Sequence, residues 1–207
     1  MLNMRKAVVL KLSVLPVTSL LAFLLLVMAC NTPFSPKKKG YPTIYFPSKT
    51  YQVFNQKSDP FSFEYPTYAV IENNLKNQGA GFQKGNWLNI RFPAQQATIY
   101  VSYMYIQPNQ FDTLIKDAYT FANNHNNRAS SISDSIFRNP QGVEGIFFTI
   151  DGDVATPYQF FLTDTTSHFF RAALYYDTTP NQDSLAPVNN FLLKDIKHLL
   201  NTFSWKK

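Results

Sequence analysis

Cysteine occurs once in this chain of 207 residues, at Cys30. No disulfide can therefore form within one chain, and the fold must be held together by its core. Histidine is almost as scarce. His125, His168 and His198 lie far apart, in no His-x-His or His-Glu-x-x-His spacing and with no second cysteine to complete a zinc site. Asp151 and Asp153 flank Gly152, but the further oxygen ligands and bidentate Glu of a calcium loop are missing, so a turn is expected there. The chain has no Gly-x-Ser-x-Gly elbow and no glycine-rich phosphate loop. These absences lead to the expectation of a protein that is not an enzyme, with no cofactor, no metal and no small-molecule substrate.

An excess of one charge is also missing once the ends are separated from the body. The formal net charge of +6 includes Arg5, Lys6 and Lys11 near the start and Lys37, Lys38 and Lys39 further on. From Gly40 onward, the 13 basic side chains that remain (19 minus 6) balance 13 acidic ones. Such a body carries no clustered basic excess for nucleic acid.

What the chain does have begins at its N-terminus. A basic start is followed by an apolar run from Leu12 to Ala29, and then by Val27-Met28-Ala29-Cys30, which reads like a lipobox. An uncleaved anchor and a removed secretory signal both fit the length of the run. The position of the lone cysteine favours removal, with Cys30 becoming a lipidated N-terminus. The acyl chains of such a terminus, at about 0.8 kcal/mol per buried methylene, hold a protein to a membrane without spanning it. The expected organisation is a signal peptide over residues 1–29, the lipidated cysteine and a flexible tether over 30–40, and one globular α+β domain over 41–207.

Within that domain, short strands are expected at Thr43–Phe46, Tyr51–Phe54, Phe61–Glu64 and Ala69–Glu72, with a polar loop over Asn73–Asn86. Strands at Trp87–Phe92 and Thr98–Ile106 follow. A helix from about Gln110 to Ala122 is expected next, capped by Asn109, because Phe111, Leu114, Ile115, Ala118 and Phe121 share one side. A meander of Val143–Ile150, Tyr158–Leu162 and His168–Tyr176 turns first at Asp151-Gly152, in a loop that Val154 to Pro157 make longer than two residues. A second helix runs from near Ser184 to about Phe203.

Alternation in the meander puts Ile146, Phe148, Ile150, Tyr158, Phe160, Leu162, Phe170, Ala172, Leu174 and Tyr176 on one face. The opposite face carries Val143, Phe147, Phe161, Phe169, Ala173 and Tyr175, mixed with Gln159, Thr149 and Arg171. Two apolar faces both need cover, which a helix on each side supplies. The other arrangement leaves the mixed face partly open, with Phe147, Phe161, Phe169 and Arg171 as a partner-binding patch.

The Phe-x-Phe-x-Tyr-Pro opening, the meander and the terminal helix ending in Thr-Phe-Ser-Trp resemble the Mog1/PsbP-like sandwich, an antiparallel sheet flanked by helices. A closer resemblance covers nearly all of the chain after Cys30. Its motifs are Tyr45-Phe46-Pro47, Pro60-Phe61-Ser62-Phe63-Glu64-Tyr65-Pro66, Trp87-Leu88-Asn89-Ile90-Arg91-Phe92-Pro93, Phe160-Phe161-Leu162-Thr163-Asp164, the run His168–Tyr175, and Asp183-Ser184-Leu185-Ala186-Pro187-Val188. In order and behind a lipobox, these resemble the gliding-motility lipoprotein D family (GldD) of Bacteroidota. The resemblance implies a cell-envelope lipoprotein required for gliding, with other envelope proteins of the gliding and type IX secretion machinery as partners. Residues 31–40 hold three lysines and no acid, whereas surface-exported lipoproteins of that phylum carry acid there, so a periplasm-facing position on the inner or outer membrane is expected. A module for cell-wall glycan or peptide is the alternative, suggested by 12 Tyr and 19 Phe.

Overall fold

The computed structural model describes residues 44–73 and 86–206. Cys30, the expected tether and most of the expected Asn73–Asn86 loop lie outside those residues. Ten strands and two α-helices are present among the described residues: β1 (Tyr51–Phe54), β2 (Phe61–Pro66), β3 (Val70–Asn73), β4 (Asn86–Phe92), β5 (Ala97–Tyr105), α1 (Phe111–Asn123), β6 (Ala129–Arg138), β7 (Glu144–Gly152), β8 (Tyr158–Thr163), β9 (His168–Tyr176), α2 (Gln182–Thr202) and β10 (Ser204–Trp205).

Seven strands form an antiparallel sheet in the order β3-β4-β5-β9-β8-β7-β6. Strands β1, β2 and β10 make a smaller sheet. The large sheet is apolar on both faces, and each face has its own cover. On one side α2 and the small sheet bury Phe160, Leu162, Phe170, Ala172 and Leu174 together with Phe61, Phe63, Leu192, Ile196 and Phe203. On the other side α1 buries Phe148, Ile150, Phe161 and Phe169 beneath Leu114, Ala118 and Ala122. The architecture is thus α+β, a sheet flanked by helices, and helix cover is the arrangement adopted. Each fully buried Phe or Leu contributes about 1.5–3 kcal/mol of transfer free energy, so aromatic burial replaces the disulfides this chain lacks.

Local sequence explains the helices. Leu114, Ala118 and Ala122 recur every fourth residue in α1, which stacks them on one face. Asn181 precedes α2 in an extended conformation, and its side chain accepts the Ser184 N–H. Asn109 does not cap α1. It sits at φ 63°, in the left-handed region that Asn tolerates, and Gln110 occupies the cap position without a side-chain cap bond.

Several other expectations are revised. Residues 44–50 do not pair as a strand. Asp151-Gly152 lies within β7 rather than forming its turn, so the β7–β8 connection is Asp153–Pro157. Gly152 is required there, because its φ of 115° is left-handed and a Cβ would come within 2.6 Å of the Arg128 carbonyl oxygen. Strand β6, with no counterpart in the sequence reading, pairs along β7 and forms one edge of the sheet.

Candidate functional site

Two groups of side chains stand out, one where the body begins and one on the α1 face of the sheet. The first gathers around Asp195, a residue of α2 that is 2% exposed. Its carboxylate accepts hydrogen bonds from Lys49 Nζ at 2.6 Å, the Tyr68 hydroxyl at 2.6 Å and the Tyr51 hydroxyl at 3.1 Å. Lys49 also donates to the Phe191 carbonyl and lies 3.2 Å from the centre of the Phe191 ring. Burial lowers the Lys49 pKa against the pull of Asp195, while burial and Asp195 together push Tyr51 up to about 12 and raise Tyr68 as well. Next to this cluster the Tyr51 ring stacks on His198 with centroids 3.5 Å apart, and His198 Nε2 meets Glu64 at 2.6 Å. Phe46 stacks on Phe191 at 4.3 Å. These contacts fasten residues 46–51 to the long helix, immediately after the segment expected to carry the tether.

The second group is a cleft of about 160 Å³ on the α1 face of the large sheet. Cross-strand register builds it. Trp87 on β4 lies opposite Ser102 on β5, Ser102 opposite Arg171 on β9, and Arg171 opposite Phe161 on β8. In the next row Tyr100, Ala173 and Gln159 align across β5, β9 and β8. Ser102 and Ala173 are small, so the large side chains around them enclose a hollow lined by Trp87, Tyr100, Phe121, Gln159, Arg171 and Tyr175.

The polar groups of this cleft are under-partnered. The half-buried Arg171 guanidinium lies 3.9 Å from the centre of the Phe121 ring and has no ion pair or hydrogen-bond acceptor among the described residues. Burial pushes its pKa down, and Tyr175 and Asp117 push it the other way. Gln159 is 4% exposed, and its amide nitrogen has no partner. A buried donor without an acceptor costs about 1–3 kcal/mol. The arrangement can recognise an acceptor-rich anion between aromatic walls.

The four residues of the expected patch do not share one surface. Phe161 and Phe169 are 3% and 1% exposed, stacked on each other under α1. Phe147 lies on the opposite face, stacked over Tyr158 and Phe160, because β7 pairs Phe147 with Phe160 and Ile146 with Phe161. Of the four, Arg171 alone lines the cleft. Gln159, Ala173 and Tyr175 do share its face, as alternation indicates. The walls contributed by Trp87, Tyr100 and Phe121 come from distant parts of the chain, and only strand order reveals them.

The histidines are engaged in packing. His168 Nδ1 meets the Tyr103 hydroxyl at 2.6 Å and its ring stacks on Trp205 at 5.0 Å. His198 serves the Tyr51 stack, and burial lowers the pKa of His125. No group of three or more His, Cys, Asp or Glu suited to a metal occurs among the described residues. No helix among them is long and apolar enough to cross a membrane.

The fold and the two sites define a class: an α+β sandwich with a fastened N-terminal arm and an aromatic-walled cleft that holds one arginine. The family model described as gliding motility lipoprotein GldD matches residues 31–205, and the chain belongs to that family. It is thereby a lipoprotein of the cell envelope and a component of gliding motility. Comparison with curated proteins yields no match. Among solved structures the chain is similar to the solution structure of cyanobacterial PsbP (CyanoP) from Synechocystis sp. PCC 6803, with 11% identity, a TM-score of 0.44 and coverage of 83% of this chain and 99% of that one.

Proposed function

We propose that this protein is a structural and assembly subunit of the gliding apparatus. Cys30 carries the lipid after removal of residues 1–29, and the body faces the periplasm and docks envelope proteins that work beside type IX secretion. The observation that carries this reading is the Asp195 cluster. Lys49, Tyr51 and Tyr68 converge on one buried carboxylate of α2, so tension arriving through the N-terminal arm passes into that helix. Family membership and the acid-free segment behind Cys30 support the same reading. The body acts by holding and docking, without turnover.

Mild crosslinking in intact cells followed by affinity purification tests it. Envelope proteins of the motility machinery should co-purify, and a deletion strain should lose gliding. A monomer recovered alone, with gliding intact in the deletion strain, would refute the proposal. The aromatic walls of the Arg171 cleft favour a second reading, a module for cell-wall glycan or peptide. Co-sedimentation with purified sacculi supports that reading, and failure to sediment rejects it.

A further inference from the structure

We propose that the Arg171 cleft binds a carboxylate presented by a peptide segment of a protein partner, either an acidic side chain or a chain end. The inference rests on the docking role above and gives it an address and a chemistry. Arg171 is a permanently charged fork of N–H donors held on a central strand, with the Phe121 ring centre 3.9 Å from it. Asp117 acts on it only from beyond ion-pair distance, so the fork has no directly bonded anion, and a carboxylate is the ligand that matches both its charge and its two-pronged geometry. Gln159 supplies a second donor, its amide nitrogen buried and unpartnered at the same cleft.

The walls specify what carries the carboxylate. Trp87, Tyr100 and Tyr175 offer ring surface to a short apolar stem and shield the ion pair from water, which strengthens it. A cleft of about 160 Å³ is of a size to take one side chain or one chain end. The body has no net charge from Gly40 onward, since 13 basic and 13 acidic side chains cancel. Recognition therefore depends on this local pair of donors rather than on a general attraction for acids.

Titration calorimetry on the full chain in detergent micelles tests the inference with small probes. N-acetylglutamate α-amide carries only a side-chain carboxylate, N-acetylalanine only a terminal one, and N-acetylglutamine α-amide is the neutral counterpart. At least one acid should bind roughly tenfold or more tightly than the neutral probe, and Arg171→Met should abolish that preference. Arg171→Lys should keep the charge but lose most of the affinity, because an ammonium cannot form the fork. Side-chain amide NMR signals of Gln159 should shift with the acid and stay in place with the neutral probe. Unaltered thermal melting of Arg171→Met establishes that the variant is folded; were it to unfold, Tyr100→Ala at the wall should weaken binding in its place.

Equal binding of neutral and acidic probes, no binding of either acid, or acid binding that survives Arg171→Met would overturn the inference. Preference for N-acetylmuramic acid over both peptide probes would overturn the peptide assignment in favour of a sugar acid. A chain that ignores every probe yet still crosslinks to its envelope partners defeats this inference alone. Intact probe binding with no partner recovered defeats the docking role instead.

Discussion

Replacing Asp195 by alanine removes the acceptor on which the N-terminal arm is fastened. The carboxylate is 1% exposed and takes hydrogen bonds from Lys49, Tyr68 and Tyr51. Breaking a buried pair by deleting one partner costs about 3–5 kcal/mol. Lys49 retains 25% of its side-chain exposure, so its stranded charge regains some hydration, and a loss of about 2–4 kcal/mol follows. For a domain of this size, about 3 kcal/mol lowers Tm by roughly 6–12 °C. Thermal and urea unfolding of the full chain in micelles measure it. The double variant Lys49→Met/Asp195→Ala should recover part of the loss, because no unpaired charge stays buried, and the cycle closed with Lys49→Met should give a coupling of at least about 1 kcal/mol. An Asp195→Ala loss below about 1 kcal/mol, the range of a surface contact, would show that the arm is not held by this cluster.

Further outcomes follow from the same geometry. Asn139 is 5% exposed, donates to the carbonyls of Leu200 and Phe203, and accepts from the N–H groups of Gln141 and Val143, so Asn139→Ala should cost about 2–4 kcal/mol in urea unfolding. A Cβ on Gly145 would lie 1.9 Å from the Phe161 carbonyl oxygen, so Gly145→Ala should spread β7 from β8 and lower stability by about 1–3 kcal/mol in the same assay. Stability should also fall at high pH. Burial and Asp195 hold the folded Tyr51 up to about 12 against an ordinary 10.0, and Tyr68 and Tyr176 are raised as well. Above pH 10 the unfolded chain therefore binds fewer protons than the folded one, and the stabilisation from Tyr51 is lost progressively as pH rises through its folded value. Tyrosine ionisation followed by ultraviolet absorbance should lag and then coincide with unfolding; free titration of all tyrosines in the folded chain would contradict this.

Sequence patterns reached the elements that are strongly one-sided or sharply punctuated. Strand β9 was legible end to end because a turn-rich Asp164–Ser167 precedes an unbroken apolar alternation. Asp164 accepts the backbone N–H groups of Thr166, Ser167 and His168 there. Both helices were legible from their fourfold spacing. Strand β6 was not, because its exposed edge position leaves a serine-rich run in which Ile132, Ile136 and Phe137 are too few to show a period. Its Ile136 is 86% exposed, a placement that no alternation rule anticipates.

The candidate site shows the same division. Gln159, Arg171, Ala173 and Tyr175 were placed together because one hairpin carries them at matching parity. Phe147 was placed with them wrongly. A loop over 151–157 would pair Ile150 with Tyr158, whereas the chain pairs Thr149 with Tyr158, and that one-residue shift exchanges the faces of β7. Trp87 and Tyr100 were invisible as members of the site, since the pairing of β5 with β9 joins segments separated by α1 and three strands.

The docking role is tested most directly in living cells. A photo-crosslinking residue placed at Tyr100, on the rim of the cleft, should capture an envelope protein, and the product should disappear together with gliding when Arg171 is changed to Met. Capture of nothing at Tyr100, or unimpaired gliding by cells carrying a folded Arg171→Met chain, would contradict a body that works by holding partners at this cleft.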